Sequence, residues 1–282
     1  MKGLVTKAVG GFFFVADEQQ NIIRTRIRGK VKRKVYPGDF VKVNDAMIEK
    51  LYPRTNLLFR PAVANVDQVL VIHSIQNPPF ARKMLDKFLI MVEAIGVKPV
   101  IIINKIDLKV PDIELEKEMK DYKEEGYQVY LISVKEKMGL NELYLTLEEK
   151  LSVLAGPSGV GKSSLIKALV PEARVKIGEV SQKLKRGVHT TRHVELLPIN
   201  KGGWIADTPG FSALDLRGIL SENLRFYFPG LARYEGQCKF RGCTHTHEPG
   251  CQVKKAVKEG MISEKRYNSY LNIYRDLEER EC

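Results

Sequence analysis

The chain has 282 residues, 44% of them hydrophobic, and a net charge of +12, which suits two or three domains with real cores and an anionic partner. No apolar run approaches the roughly 18 residues that a bilayer span needs, so a membrane protein is not expected. The short run Gly10–Ala16 is closed by Asp17 and Glu18 and lacks a cleavage site, so no signal peptide is expected either.

The basic excess is concentrated at the start. Residues 1–60 hold thirteen Lys and Arg against five acids. Alternation in Ile23-Arg-Thr-Arg-Ile-Arg28 puts Arg24, Arg26 and Arg28 on one face of a strand. Val31-Lys-Arg-Lys-Val35 continues that pattern less cleanly through Lys32, Arg33 and Lys34. Short basic strands, with turns at Gly10-Gly11, Gly29 and Pro37-Gly38, predict a small all-β, antiparallel barrel of the OB type. A basic barrel face with Phe12, Phe13 and Phe14 as stacking groups suits RNA, so these six basic residues are the candidate RNA contacts. A basic barrel with the phenylalanines in its core is the competing reading. The stretch Pro53 to Pro61 reads as a linker, giving a first domain of residues 1–60.

A central α/β domain is expected over residues 61–215. Val66-Asp-Gln-Val-Leu-Val-Ile72 opens it as a buried strand, and Ala81–Ala94 has the apolar spacing of an amphipathic helix. Val100–Ile103 is a second buried strand, followed directly by Asn104-Lys-Ile-Asp107. Strand tips of this kind hold ligands in doubly wound sheets. The Asp107 carboxylate can accept from both the ring N–H and the exocyclic amine of guanine, and adenine cannot match it. Pro111–Lys120 predicts another helix start. Ser133, after the strand-like Val129–Ile132, is a third candidate base contact.

Gly156-Pro-Ser-Gly-Val-Gly-Lys-Ser163 fits G-x-x-x-x-G-K-[ST] at every fixed position. It lies between the apolar run Leu151–Ala155 and the helix-like Ser164–Val170, the strand–loop–helix setting that the motif requires. Its glycines let backbone N–H groups turn inward on phosphate oxygens, and the helix N-terminus adds its dipole. Gly156, Pro157, Ser158, Gly159, Val160, Gly161, Lys162, Ser163 and Ser164 are therefore candidate nucleotide contacts. Lys162 would meet the β- and γ-phosphates, and Ser163 would ligate Mg²⁺.

Lys185–Arg192 is a polar segment whose Thr190 and Thr191 suit a switch that closes on Mg²⁺ and the γ-phosphate, without a choice between them. Asp207-Thr-Pro-Gly210 follows the apolar Gly203–Ala206; its Asp would hold Mg²⁺ through water and the Gly210 N–H would meet the γ-phosphate. Where many GTPases carry a water-orienting Gln, this chain has Phe211, and His189 is the nearest substitute. The guanine tetrad precedes the phosphate loop, the reverse of the ordinary order, so the GTP domain is read as circularly permuted.

Residues 216–282 are expected to form a small helical domain stapled by zinc. Three thiols and an imidazole in Cys238-x₄-Cys243-x-His245-x₅-Cys251 make a plausible structural Cys₃His site, with His247 a rival ligand and Cys282 free. Cysteines clustered for metal rather than for disulfides point to a reducing cytoplasm.

Taken together, these motifs resemble the circularly permuted GTPases of small-subunit ribosome biogenesis, the RsgA (YjeQ) family. The residues that carry the resemblance are Asn104–Asp107, Gly156–Ser164, Gly187-Val-His-Thr-Thr191, Asp207–Phe211 and Cys238–Cys251, whose family pattern is C-x₄-C-x-H-x₂-E-P-x-C. The resemblance assigns zinc to Cys238, Cys243, His245 and Cys251, and water positioning to His189. It implies a monomeric cytoplasmic GTP hydrolase that binds the immature small (30S) subunit and its 16S rRNA in the GTP state. Hydrolysis, stimulated by the subunit, would promote release. Some members have a third threonine where this chain has Arg192, leaving only Thr190 and Thr191 for Mg²⁺. The alternative is a nucleic-acid-binding assembly scaffold with structural, non-hydrolysed nucleotide; Lys162, Ser163 and Asp207 argue against it, and Phe211 argues for it.

Overall fold

A computed structural model describes residues 1–29, 31–59, 61–108, 115–170, 194–207, 216 and 218–281. Five strands form the N-terminal barrel: β1 (Lys2–Val9), β2 (Phe12–Ala16), β3 (Ile22–Ile27), β4 (Phe40–Asn44) and β5 (Met47–Leu51). They pair in the order β1-β2-β3-β5-β4, and β4 pairs back to β1, which closes the barrel. The β3–β5 pair is parallel and the rest are antiparallel. Val5, Val15, Val35, Val41, Val43 and Ile48 fill the interior, with Phe13 packed against them. Residues 31–35 do not extend β3 as a strand; Val35 turns into the core, and Lys32, Arg33 and Lys34 stay exposed.

The expected linker is a built element. Its β6 (Leu57–Phe59) pairs with β7 (Ala62–Ala64), which follows directly, and Leu58 and Val63 are buried. Arg54 clamps the ribbon to the barrel, donating from Nε to Asp39 Oδ1 at 2.6 Å and from Nη2 to Oδ2 at 2.7 Å. That bidentate pair satisfies a fully buried carboxylate. A proline-flanked, polar stretch looks like a linker because its anchor, Asp39, is remote in sequence.

The central sheet holds β8 (Gln68–Ser74), β9 (Lys98–Asn104), β10 (Gln128–Leu131), β11 (Leu151–Ala155), β12 (Glu195–Pro198) and β13 (Trp204–Asp207). Its order is β10-β9-β8-β11-β13-β12, parallel except for β12. The chain starts in the middle with β8, walks outward through β9 and β10, then returns beside β8 with β11. The order therefore reverses between β8 and β11, and ligands bind at the carboxyl ends of strands at such a point. Helices α1 (Arg82–Ala94) and α2 (Leu115–Glu124) cover one face; α3 (Leu140–Leu147) and α4 (Lys162–Leu169) cover the other. Two covered faces explain the unbroken apolar runs.

Strand β1 serves two sheets along one edge. Its first half (Lys2–Leu4) closes the barrel with β4, and after a bulge Lys7 pairs with Glu195 of β12. Lys7 Nζ also meets Glu195 Oε2 at 2.7 Å. β12 is too short to show periodicity in the sequence.

The C-terminal region holds a 3₁₀ helix (Ser221–Tyr227), a single turn of helix (Pro229–Ala232), and helices Gln252–Lys258 and Glu264–Glu281. Leu224, Phe228, Leu231, Val253, Tyr270, Ile273 and Leu277 form its core, which Ile90 of α1 joins. The buried Arg266 locks it onto the central domain. Its guanidinium bonds Asp86 of α1 and, at 2.9 and 2.7 Å, both oxygens of Glu125, which follows α2. Tyr122 and Ser269 also donate to Asp86. A buried charge persists only with such full pairing.

Candidate nucleotide and metal sites

The phosphate loop leaves β11 at the reversal point and enters α4. Gly156, Gly159 and Gly161 all have positive φ, at 142°, 81° and 101°. Two of them also have no room for a side chain. A Cβ on Gly156 would lie 2.1 Å from the Ile72 carbonyl oxygen, and one on Gly161 would lie 2.3 Å from Asn104 Nδ2. The loop is thus pressed against β8 on one side and the guanine tetrad on the other.

The tetrad holds the loop directly. Asn104, buried at the end of β9, donates from Nδ2 to the Val160 carbonyl at 2.9 Å, and its Oδ1 accepts from Val134 N at 3.2 Å. Lys105 has φ 64° and sends Nζ to the Gly159 carbonyl at 2.7 Å and to the Asn77 carbonyl. Ser133 Oγ donates to Asp107 Oδ1 at 2.6 Å and accepts from Glu136 N at 3.1 Å. Three sequence-distant candidates, the tetrad, Ser133 and the phosphate loop, therefore form one network.

Lys162 Nζ donates to the carbonyls of Gly156 and Pro157 at 2.6 and 2.5 Å. Burial lowers its ammonium pKa from the ordinary lysine value. Pro157 is half-buried, Val160 is buried, and Ser158, Ser163 and Ser164 are exposed around the loop and the first turn of α4. Asp207 ends β13, exposed, beside the same sheet edge. His189, Thr190, Thr191, Gly210 and Phe211 lie outside the described residues.

Two residues near the loop carry no motif. His73, near the end of β8, is 2% exposed between Phe80 and Phe88, and its Nε2 has no hydrogen-bond partner. Burial, and then the nearby Lys162 charge, push its pKa down to about 4. Pro78 lies beside the loop, 3.5 Å from where a Cβ on Gly159 would sit. The Asn77-Pro78 dipeptide announces a turn, but nothing in the sequence tells that the turn meets the phosphate loop.

The second site is a Cys/His cluster. The ligand atoms of Cys238, Cys243, His245 and Cys251 all lie within 4.8 Å of one another. A tetrahedral zinc with Zn–S of about 2.3 Å and Zn–N of about 2.0 Å needs S···S edges of roughly 3.8 Å and S···N edges of roughly 3.5 Å. Here Cys238 Sγ is 4.0 Å from Cys251 Sγ and 3.6 Å from His245 Nδ1, and Cys251 Sγ is 3.4 Å from the same nitrogen. The donor set and its spacing fit zinc. Backbone N–H groups of Gln252 and Lys254 point at the Cys238 and Cys251 sulfurs, at 3.3 and 3.5 Å, which suits thiolates. His247 is exposed and outside the cluster, bonded through Nδ1 to Thr246 Oγ1.

Glu248 explains why an acid belongs in this loop. It accepts from Thr244 N and Oγ1 at 2.5 and 2.7 Å and from Thr246 N at 3.0 Å, which pins the residues flanking His245. Desolvation raises its pKa, but the hydrogen bonds from Thr244 and the backbone outweigh that and bring it to about 2.

On the barrel, Arg24 and Arg26 both lie over the Phe12 ring, at 3.6 and 4.5 Å from its centroid. Thr25 between them points inward. Arg28 keeps the same exposed side but is paired with Glu49 at 2.8 Å. Of the three phenylalanines, Phe13 packs toward the interior, which leaves Phe12, beneath Arg24 and Arg26, and Phe14, cross-strand from Arg24, for the stacking reading.

Comparison with known proteins settles the family. The RsgA GTPase family matches residues 51–217, and the RsgA N-terminal domain matches residues 2–49. The chain belongs to the RsgA GTPase family. Among its relatives is the small ribosomal subunit biogenesis GTPase RsgA of Bacillus velezensis, 44% identical over 99% of this chain and 98% of that protein. The same-named protein of Clostridium acetobutylicum is 43% identical over 99% of both chains. The crystal structure of YloQ, a circularly permuted GTPase, superposes with a TM-score of 0.83 at 36% identity, covering 99% of this chain and 95% of that one. YjeQ from Thermotoga maritima gives a TM-score of 0.84 at 34% identity, covering 98% of each. The barrel, the permuted GTPase domain and the helical Cys₃His region seen here are the architecture that RsgA-family membership calls for.

Proposed function

We propose that this chain is a GTP hydrolase of small-ribosomal-subunit biogenesis, binding the subunit in its GTP state and leaving it after hydrolysis. The observation that carries this reading is the Asn104–Val160 hydrogen bond at 2.9 Å, which joins guanine recognition to phosphate binding across 56 residues. Asp107 and Ser133 read the base, while Asn104 and Lys105 hold the loop that surrounds the phosphates. Backbone N–H groups of Gly156–Ser164 and the Lys162 ammonium stabilise charge developing on the phosphates. Ser163 and Asp207 would hold Mg²⁺ with Thr190 or Thr191, and the ion would offset phosphate charge. Gly210 N–H meets the γ-phosphate, and His189 orients the attacking water, as the resemblance implies.

The remaining assignments follow from the same reading. We divide the chain into residues 1–60 for RNA, 61–215 for GTP and 216–282 for zinc-stapled docking. Zinc is structural, one per chain, on Cys238, Cys243, His245 and Cys251. Arg24 and Arg26 lead the contact with 16S rRNA, with Arg28, Lys32, Arg33 and Lys34 adding charge around them. The protein works as a monomer in the cytoplasm, where the small subunit matures. The test is GTP turnover by the purified chain with and without small subunits. Stimulation by small subunits supports the reading; turnover that ignores them, or none at all, defeats it.

A further inference from the structure

A cavity of about 500 Å³ lies at the opposite end of the central sheet from the phosphate loop, between the barrel and the GTPase domain. Its floor is apolar, made by Leu4 and Ala16 of the barrel and by Leu151 and Trp204, the first residues of β11 and β13. Phe40, 40% exposed, and Pro53 stand at its side. Strands β11 and β13 present the phosphate loop and Asp207 at their far ends, so this cavity is separate from the nucleotide site.

Its charge is opposite to that of the molecule. Asp17, Glu18, Asp67 and Glu149 line it in a chain whose net charge is +12. Asp17 is committed to its own turn, accepting from the backbone of Gln19 and Asn21, and Asp67 accepts from Leu151 N at 2.7 Å. Glu18 and Glu149 are exposed, and their carboxylates have no partner among the described residues. Lys2, the one cation in the lining among the described residues, is directed to aromatic rings, 5.1 Å from the Phe40 centroid and 5.7 Å from that of Tyr52. Volume and apolar floor match a pocket for one or two side chains, and two unpaired carboxylates at the mouth select a cation.

We infer that this cavity binds a basic peptide segment of a protein partner, seating an apolar side chain on Leu151 and Trp204 while Lys or Arg neighbours pair with Glu18 and Glu149. Nucleic acid is excluded by the same carboxylates. The barrel would then offer two unlike surfaces: Arg24 and Arg26 for RNA, and this cavity for protein.

Trp204 is the only tryptophan in the chain, so its fluorescence reports occupancy. The probe is a synthetic acetylated decapeptide alternating Lys, Arg and Leu, titrated into the full-length protein at 150 mM salt. Controls are the same peptide with Glu for Lys and Arg, the peptide with Ser for Leu, spermidine, and a single-stranded RNA decamer. A saturable change is expected with the first peptide alone, equally with GDP or a GTP analogue present. The double variant E18K/E149K should weaken it about tenfold or more, since two pairs turn repulsive, while GTP turnover stays at the wild-type rate. No saturable change, unaltered binding by E18K/E149K, or an equal response to spermidine, the Ser peptide or RNA would each overturn the inference. Because turnover is read separately, a failure here is distinct from failure of the GTPase reading.

Discussion

Ser133 Oγ donates to Asp107 Oδ1 at 2.6 Å, a contact between residues 26 positions apart. It fixes the rotation of a carboxylate whose remaining lone pairs are available to a guanine base. Asp107→Asn should therefore move preference from GTP toward xanthosine triphosphate, because an amide can donate to the extra carbonyl of xanthine. Competition binding with both nucleotides checks this, and an unchanged preference for GTP would remove Asp107 from base recognition. Ser133→Ala should be milder, costing about 1 kcal/mol, the value of one hydrogen bond.

Metal analysis should find one zinc per chain in protein purified without chelators. Cys243→Ser should lose it and expose amides of the C-terminal region to hydrogen exchange. Nucleotide affinity should hardly change, since the phosphate loop and tetrad make their contacts within the central domain. A variant that keeps its zinc would mean that Cys243 is not a ligand.

Arg24→Glu with Arg26→Glu should weaken small-subunit binding and flatten its dependence on salt, because fewer counterions are released. Arg28→Glu should matter less, since Arg28 is already paired with Glu49. Equal effects from Arg28 and from the Phe12-stacked pair would place the RNA contact elsewhere on the barrel.

His73 makes stability depend on pH. Its folded pKa of about 4 lies below the ordinary value of 6.5, so the unfolded chain binds the proton first. The neutral imidazole's contribution is full above pH 6.5 and is lost as pH falls toward 4, by roughly 3 kcal/mol over the window. His73→Phe should flatten that part of the pH profile in denaturant melts, in a pocket already walled by Phe80 and Phe88. A profile of unchanged slope in the variant would assign the dependence to other groups.

Residues whose chemistry is local are legible in the sequence. The phosphate loop, the tetrad and the Cys₃His cluster combine residue type with spacing, and all three fold where their flanking strands and turns imply. The closed barrel is legible from alternation and turns. Relationships across the chain are not. The Arg54–Asp39 clamp, the shared edge of β1, the Arg266 lock on Asp86 and Glu125, and the buried His73 depend on which elements the fold brings together. Spacing does not separate His247 from His245, since both fit a zinc pattern; the bonds of Glu248 to Thr244 and Thr246 hold His245 inward.

Nucleotide-dependent attachment to the small subunit is the most direct test. The full-length protein is sedimented with purified small or large subunits, in the presence of GDP or a non-hydrolysable GTP analogue. Co-sedimentation with small subunits in the analogue, and its loss in GDP, is the expected result. Equal pelleting in both nucleotides, or a preference for the large subunit, would contradict a GTPase that uses hydrolysis to leave the small subunit.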